Sequence, residues 1–173
     1  MRTIVVYESS FGNTRKVAEA VAEELDAELV HAGEEEPDLE DVELLVVGAP
    51  THVHGLPGER SRQAAVEQGG IRTARGVREW LDELPERDGC LAAAFDTRAD
   101  KPMFVTGSAA KGIAKRLSRH GYRLATPPES FVVHGTEGPL EDGELERAEA
   151  WGWSLRRATP RSDRPLAGTA QRA

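Results

Sequence analysis

The chain predicts an α/β protein: a doubly wound, five-stranded parallel sheet between two layers of helices, a three-layer α/β/α arrangement. Three observations carry this. Apolar runs of strand length alternate about five times with segments of 3.6-residue periodicity, the pattern of strands joined by crossover helices. Two of the runs, residues 43–48 and 90–95, are almost wholly apolar, as strands covered on both faces must be. The segments after the first, third and fourth runs are polar or glycine-rich, and they share the carboxyl edge of the sheet, where such folds bind ligands.

Residues 3–7 are the first expected strand, followed by a polar turn and a helix that places Val17, Ala18, Val21, Ala22 and Leu25 on one face. Residues 27–31 form a weaker strand, and the acidic, proline-broken stretch 34–38 reads as a solvated loop. After the third strand a long loop covers residues 49–58, with helices expected over 60–68 and 72–84; the latter gathers Val77, Trp80, Leu81 and Leu84. The fourth strand is expected to end at Phe95, leaving residues 96–106 as a loop. Ser108 caps a helix carrying Ile113, Ala114 and Leu117, stopped by His120 and Gly121. Residues 122–125 and 131–134 read as one edge strand interrupted by Pro127 and Pro128, since proline is tolerated only at a sheet edge. Asp142 opens a last helix with Leu145, Ala148, Gly152 and Leu155 on one side. The expected division is one domain over residues 1–155 and a polar, disordered tail over 156–173.

A length of 173 residues suits a single domain, and 39% hydrophobic with 30% charged residues is ordinary for a globular protein. A net charge of −8 argues against nucleic acid as a partner, because binding a phosphate backbone needs a basic face. The single cysteine, Cys90, excludes an internal disulfide and reads as a small buried hydrophobe. With no signal-peptide pattern and no apolar run of membrane-spanning length, a cytoplasmic protein without a membrane span is expected.

The chemistry concentrates in the turn Ser9-Ser10-Phe11-Gly12-Asn13-Thr14. Its hydroxyls, its amide and the free N–H groups of the following helix can satisfy a phosphate while the helix dipole offsets the charge. The same residue types also serve as ordinary helix caps, so spacing alone leaves both readings open. No Gly-Lys-Ser/Thr follows the glycine, and the turn is not Gly-x-Gly-x-x-Gly, which disfavours nucleoside triphosphates and Rossmann-type dinucleotides. A response-regulator receiver is excluded too: Glu8 has no acidic companion in the turn, and no lysine lies beyond position 115.

Tyr7-Glu8-Ser9-Ser10-Phe11-Gly12-Asn13-Thr14, with Val17-Ala18 behind it, resembles the FMN-phosphate loop of the flavodoxin-like proteins. Val47-Gly48-Ala49-Pro50-Thr51-His52 resembles their Gly-x-Pro-Thr segment, and Phe95-Asp96-Thr97-Arg98 stands where their fourth strand ends. The resemblance spans residues 1 to about 155 and implies a flavodoxin-like fold with strand order 2-1-3-4-5 and FMN at the switch between the first and third strands. It further implies that Ser9, Ser10, Gly12, Asn13 and Thr14 hold the phosphate. Pro50, Thr51, His52 and Val53 would then lie along one side of the flavin ring, and Asp96, Thr97 and Arg98 along the other. Gly55 falls where flavodoxins let a peptide turn towards the ring, although it also reads as a plain turn glycine beside Leu56-Pro57-Gly58.

The chain departs from that family in its aromatics. The third loop has no tyrosine or tryptophan, and the ring would meet His52, His54, Phe11 and Phe104 instead. A ring so lightly shielded is open to solvent and to a reacting partner, and its one-electron-reduced form is less favoured than in a dedicated carrier. His31, His120 and His134 fall at element ends and read as structural, as does Trp80 in a helix core. Arg98 is positioned to clamp an anionic substrate or a flavin carbonyl, or else to pair with Asp100 or Glu59. The expectation is an FMN-binding redox protein passing electrons or hydride to a partner protein, a quinone or another small acceptor. If it is an enzyme, it is an FMN-dependent oxidoreductase, the family including quinone-linked ones. The alternative is a flavin-free binding or regulatory domain that keeps the loop only as a cap. No metal site is expected.

Overall fold

The computed structural model describes residues 1–34, 36–52 and 55–159, with the main chain alone at 103 and 104. The elements run β1 (Thr3–Tyr7), α1 (Asn13–Leu25), β2 (Glu28–His31), β3 (Leu44–Pro50), α2 (Glu59–Glu67), α3 (Val77–Asp82) and β4 (Leu91–Ala99). There follow α4 (Met103–Thr106), α5 (Ala109–Arg119), β5 (Arg123–Leu124), β6 (Glu129–Val133) and α6 (Glu144–Ala158). All strand pairings are parallel and the order is β2-β1-β3-β4-β5, with β6 also on β4. The expected 2-1-3-4-5 sheet is therefore present.

The edge strand is interrupted as its prolines require. Leu91 pairs with Arg123, but Phe95 pairs with Glu129, so two extra residues are looped out between β5 and β6 on the same edge of β4. Several boundaries differ from expectation. The helix expected over 72–84 starts only at Val77, because Gly76 is fully extended (φ −121°, ψ −177°). β4 does not stop at Phe95: it continues through Ala99, held by Ala49 and Pro50 of β3 on one side and by β6 on the other. Asp96, Thr97 and Arg98 therefore sit on a paired strand, not a loop. α6 runs to Ala158, three residues past the expected domain boundary, and the rest of the expected tail, from residue 160, lies outside the described residues.

Side-chain alternation splits the core between the two faces of the sheet. One face gathers Val5, Val46, Ala93 and Phe95 against α1 and α6 through Val17, Val21, Leu25, Trp151 and Leu155. The other gathers Ile4, Leu45, Val47 and Ala94 against α3 and α5 through Trp80, Leu81, Ile113 and Leu117. Cys90 is half-buried, with its thiol against the Val42 carbonyl (3.3 Å), and burial raises its pKa. Among the described residues no helix is long and apolar enough to cross a membrane.

Candidate functional site

The carboxyl ends of β1, β3, β4 and β6 open into a cavity of about 270 Å³. Ser10, Phe11, Asn13 and Thr14 line it from the β1–α1 turn, Pro50, Thr51 and His52 from the end of β3, and Thr97 and Arg98 from β4. Nine of the expected site residues are thus brought together by the parallel topology, from segments far apart in sequence.

The side chains of the turn do not cap α1. The N-cap position of α1 is Gly12, in the left-handed region (φ 86°, ψ −12°), and no side chain caps the helix. The first-turn N–H groups thus keep no capping acceptor, and the serine, asparagine and threonine are not there to supply one. Ser9 accepts from Gly12 N (3.1 Å) and shapes the turn from behind. The Thr14 hydroxyl bonds that of Thr97 (2.7 Å) and ties the turn to β4, while the Asn13 amide donates to the Glu137 carbonyl (2.7 Å). Ser9 and Gly12 form the turn without lining the cavity.

Asp96 lies behind the cavity. It is wholly buried, and its Oδ2 accepts from the hydroxyls of Thr51 (3.0 Å) and Ser108 (2.7 Å) and from Ala110 N (2.9 Å). It therefore fixes Thr51 and the start of α5, and is not among the residues that line the cavity. Arg98 does line the cavity and donates to the Lys101 carbonyl (2.6 Å), not to Asp100 or Glu59. Gly55 closes a two-residue bridge with His52 (2.9 and 3.0 Å between main-chain atoms) and stays off the cavity wall. Val53, His54 and the side chain of Phe104 lie outside what is described.

Two further walls were not read from the sequence. Helix α2 presents Ser61, Ala64, Ala65 and Gln68, and the turn after β6 presents Gly135 and Thr136. The second had a signal: β6 is parallel to the rest, so its following loop opens on the same edge. The first was harder to see, since small residues on an exposed helix carry no periodic mark.

The cavity's electrostatics are one-sided. The chain carries 30 aspartates and glutamates, yet none among the described residues lines the cavity, whose described ionisable groups are Arg98 and His52. Burial, assisted by the charge of Arg62, holds His52 below the ordinary histidine range, so it is neutral at physiological pH. Beneath the turn, Glu8 is 1% exposed, with Oε2 accepting from Val77 N (2.8 Å) and Arg62 3.9 Å from Oε1. Arg62 sits closer to Glu79 (3.0 Å). Burial therefore outweighs the help Glu8 receives and raises its pKa to about 7. No group of metal-ligating side chains occurs among the described residues.

Residues 4–62 match the model of the family described as the flavodoxin domain. Among solved structures, the chain is similar to oxidised flavodoxin 2 from Bacillus cereus (15% identity, TM-score 0.65), covering 91% of this chain and 99% of that one. It is similar to a flavodoxin from the domain Archaea (18%, TM-score 0.63), covering 92% and 99% respectively. It is also similar to a flavodoxin, WrbA-like protein from Agrobacterium tumefaciens (20%, TM-score 0.62), covering 91% and 96%. No curated protein sequence matches it. The chain has the flavodoxin-like fold throughout, and its residues 4–62 match the flavodoxin-domain model.

Proposed function

We propose that the cavity binds FMN and that the protein acts as a flavin-dependent redox protein. The observation that carries this is the uncapped start of α1 opening into a carboxylate-free cavity at the β1/β3 switch point. The residues present fit the group. First-turn N–H groups of α1 and the Ser10 hydroxyl, which bonds to none of the described residues, suit a phosphate. Thr51, the neutral His52 and Arg98 suit the polar edge of a heterocycle. FMN, when bound, supplies the electron or hydride chemistry.

The protein's contribution is position and exposure. Among the described residues no tyrosine or tryptophan lines the cavity, and Phe11 and His52 are the aromatic side chains in its wall. With so little stacking, a bound ring stays open to a second reactant, which favours an oxidoreductase acting on a quinone or another small acceptor, or a redox partner protein, over a sealed carrier. The flavin-free alternative draws on one observation: Asn13 and Thr14 are already engaged inside the protein.

The purified protein, alone and after incubation with FMN, tests the choice. Flavin absorbance in the visible, with FMN identified by mass after release, is expected. A colourless protein that takes up no added FMN overturns the reading in favour of the flavin-free one. Thr14→Ala removes the tie between the turn and Thr97, and FMN affinity measured by fluorescence quenching is expected to fall by about tenfold, the worth of one buried hydrogen bond.

A further inference from the structure

The turn after β6 is held against the start of α1 by a hydrogen bond and a close main-chain approach. Asn13 is 7% exposed, and its Nδ2 donates to the Glu137 carbonyl at 2.7 Å. The next residue, Gly138, has φ 98°, and a Cβ there would lie 2.4 Å from Asn13 Nδ2 and 2.6 Å from its Oδ1. The approach is therefore possible only with glycine at 138. The turn is closed by main-chain bonds of its own. Gly138 N donates to the His134 carbonyl (3.1 Å), His134 N to that of Pro139 (2.9 Å), and Val133 and Leu140 form an antiparallel bridge. Gly135 and Thr136, at the tip, stand in the cavity wall.

We propose that Asn13 is a latch, not a phosphate ligand: it pins the 134–138 turn to α1, and the turn so held is a wall of the ligand site, with Thr136 touching bound FMN. The proposal rests on the FMN reading for its ligand and on the geometry for its latch. An amide already committed to a carbonyl at 2.7 Å has one hydrogen left and an orientation set by that carbonyl, so a phosphate could take at most that one hydrogen, in the direction the Glu137 bond leaves it. The phosphate is left to the main-chain donors and Ser10, and the asparagine acts on the ligand through the turn.

The test measures FMN and riboflavin affinity for the wild type, Asn13→Ala, Gly138→Ala, their double variant and Thr136→Val, with hydrogen exchange of residues 134–139 in the ligand-free proteins. A latch weakens FMN and riboflavin by the same factor, leaves their ratio as in the wild type, and speeds exchange across the turn. The double variant then costs no more than the worse single, because both break one contact. Thr136→Val, which leaves the latch whole, weakens both ligands without changing exchange.

A direct phosphate ligand behaves otherwise: Asn13→Ala loses FMN selectively, collapses the FMN-to-riboflavin ratio and leaves exchange unchanged, which would overturn the proposal. If Gly138→Ala fails to fold, Asn13→Ala and Thr136→Val still decide it. If the wild type binds no flavin, the functional reading fails separately and the exchange arm alone judges the latch: unchanged exchange in Asn13→Ala overturns it, faster exchange sustains it.

Discussion

Glu8 shows how much one residue at the end of β1 can be asked to do. Its carboxyl meets Val77 N and the edge of Arg62, yet lies in a space so closed that a Cβ at Gly76 would sit 2.4 Å from Oε2. With Glu79 holding Arg62 at 3.0 Å, the two carboxylates share one guanidinium, and the buried one yields its charge. Its pKa is raised to about 7 against 4.5 in the unfolded chain, so between those values the unfolded state releases a proton the folded state keeps. Stability from this group is fully present below pH 4.5 and declines as pH rises through about 7, by an amount on the order of 3 kcal/mol. Glu8→Gln, neutral at every pH, is expected to flatten that decline: denaturant melts at pH 5 and pH 8 should differ less than in the wild type. An unchanged difference would place the titration elsewhere. From sequence Glu8 was only an acid without company; its burial and its neighbours on α2 and α3 come from the fold.

Among the elements, β3 and β4 explain why a motif can be readable for one reason and present for another. Gly48 opens the Gly48-Ala49-Pro50-Thr51 segment, but its side faces Phe95, its register partner, whose ring lies where a Cβ would be (2.0 Å to Cζ). That ring meets Phe131 and Trp151 edge to face, at centroid distances of 6.1 and 5.9 Å. Glycine at 48 is thus a packing requirement of the aromatic cluster. Gly48→Ala is expected to cost about 1–3 kcal/mol of overpacking in chemical denaturation, and to weaken FMN only through the shift it passes to Pro50 and Thr51. Ser108 shows the converse: read as a cap, it is one, accepting from Lys111 N (3.2 Å), and it adds a bond to Asp96. The edge strand was read correctly from its prolines, whereas the extension of β4 to Ala99 was not. Polar residues such as Asp96 and Thr97 look like loop until a third strand, β6, pairs with them.

For the whole molecule, the site is assembled at the open edge of the sheet, where the carboxyl ends of four strands are joined by main-chain and side-chain ties between turns. A ligand bound there bridges both faces of the sheet, so binding should be felt by the fold as a unit. Thermal unfolding is expected to move upward with FMN concentration, by a stabilisation of about 2.7 kcal/mol at a hundredfold excess over Kd. A melting temperature independent of FMN, in a protein that nonetheless co-purifies with it, would mean that the flavin is held by a part that melts on its own. The same edge carries Arg98 and the neutral His52 with no carboxylate among the lining residues, in a chain of net charge −8. The excess acid lies on other surfaces and leaves this one suited to an anionic group.

The sequence by itself determined the layers and the polar turn before α1, because alternating apolar runs and helical periodicity admit few parallel arrangements; the strand order came from the resemblance of its motifs to the flavodoxin-like proteins. It also brought nine of the lining residues to the right edge. Only the tertiary structure decided what each side chain in that turn is free to do. Ser9 is spent on Gly12, Thr14 on Thr97 and Asn13 on Glu137, and Asp96 is turned to the start of α5. Hydrogen-bonding capacity is a property of the residue, but whether it is spent inward or left for a ligand depends on partners up to 124 positions away, which no local pattern encodes.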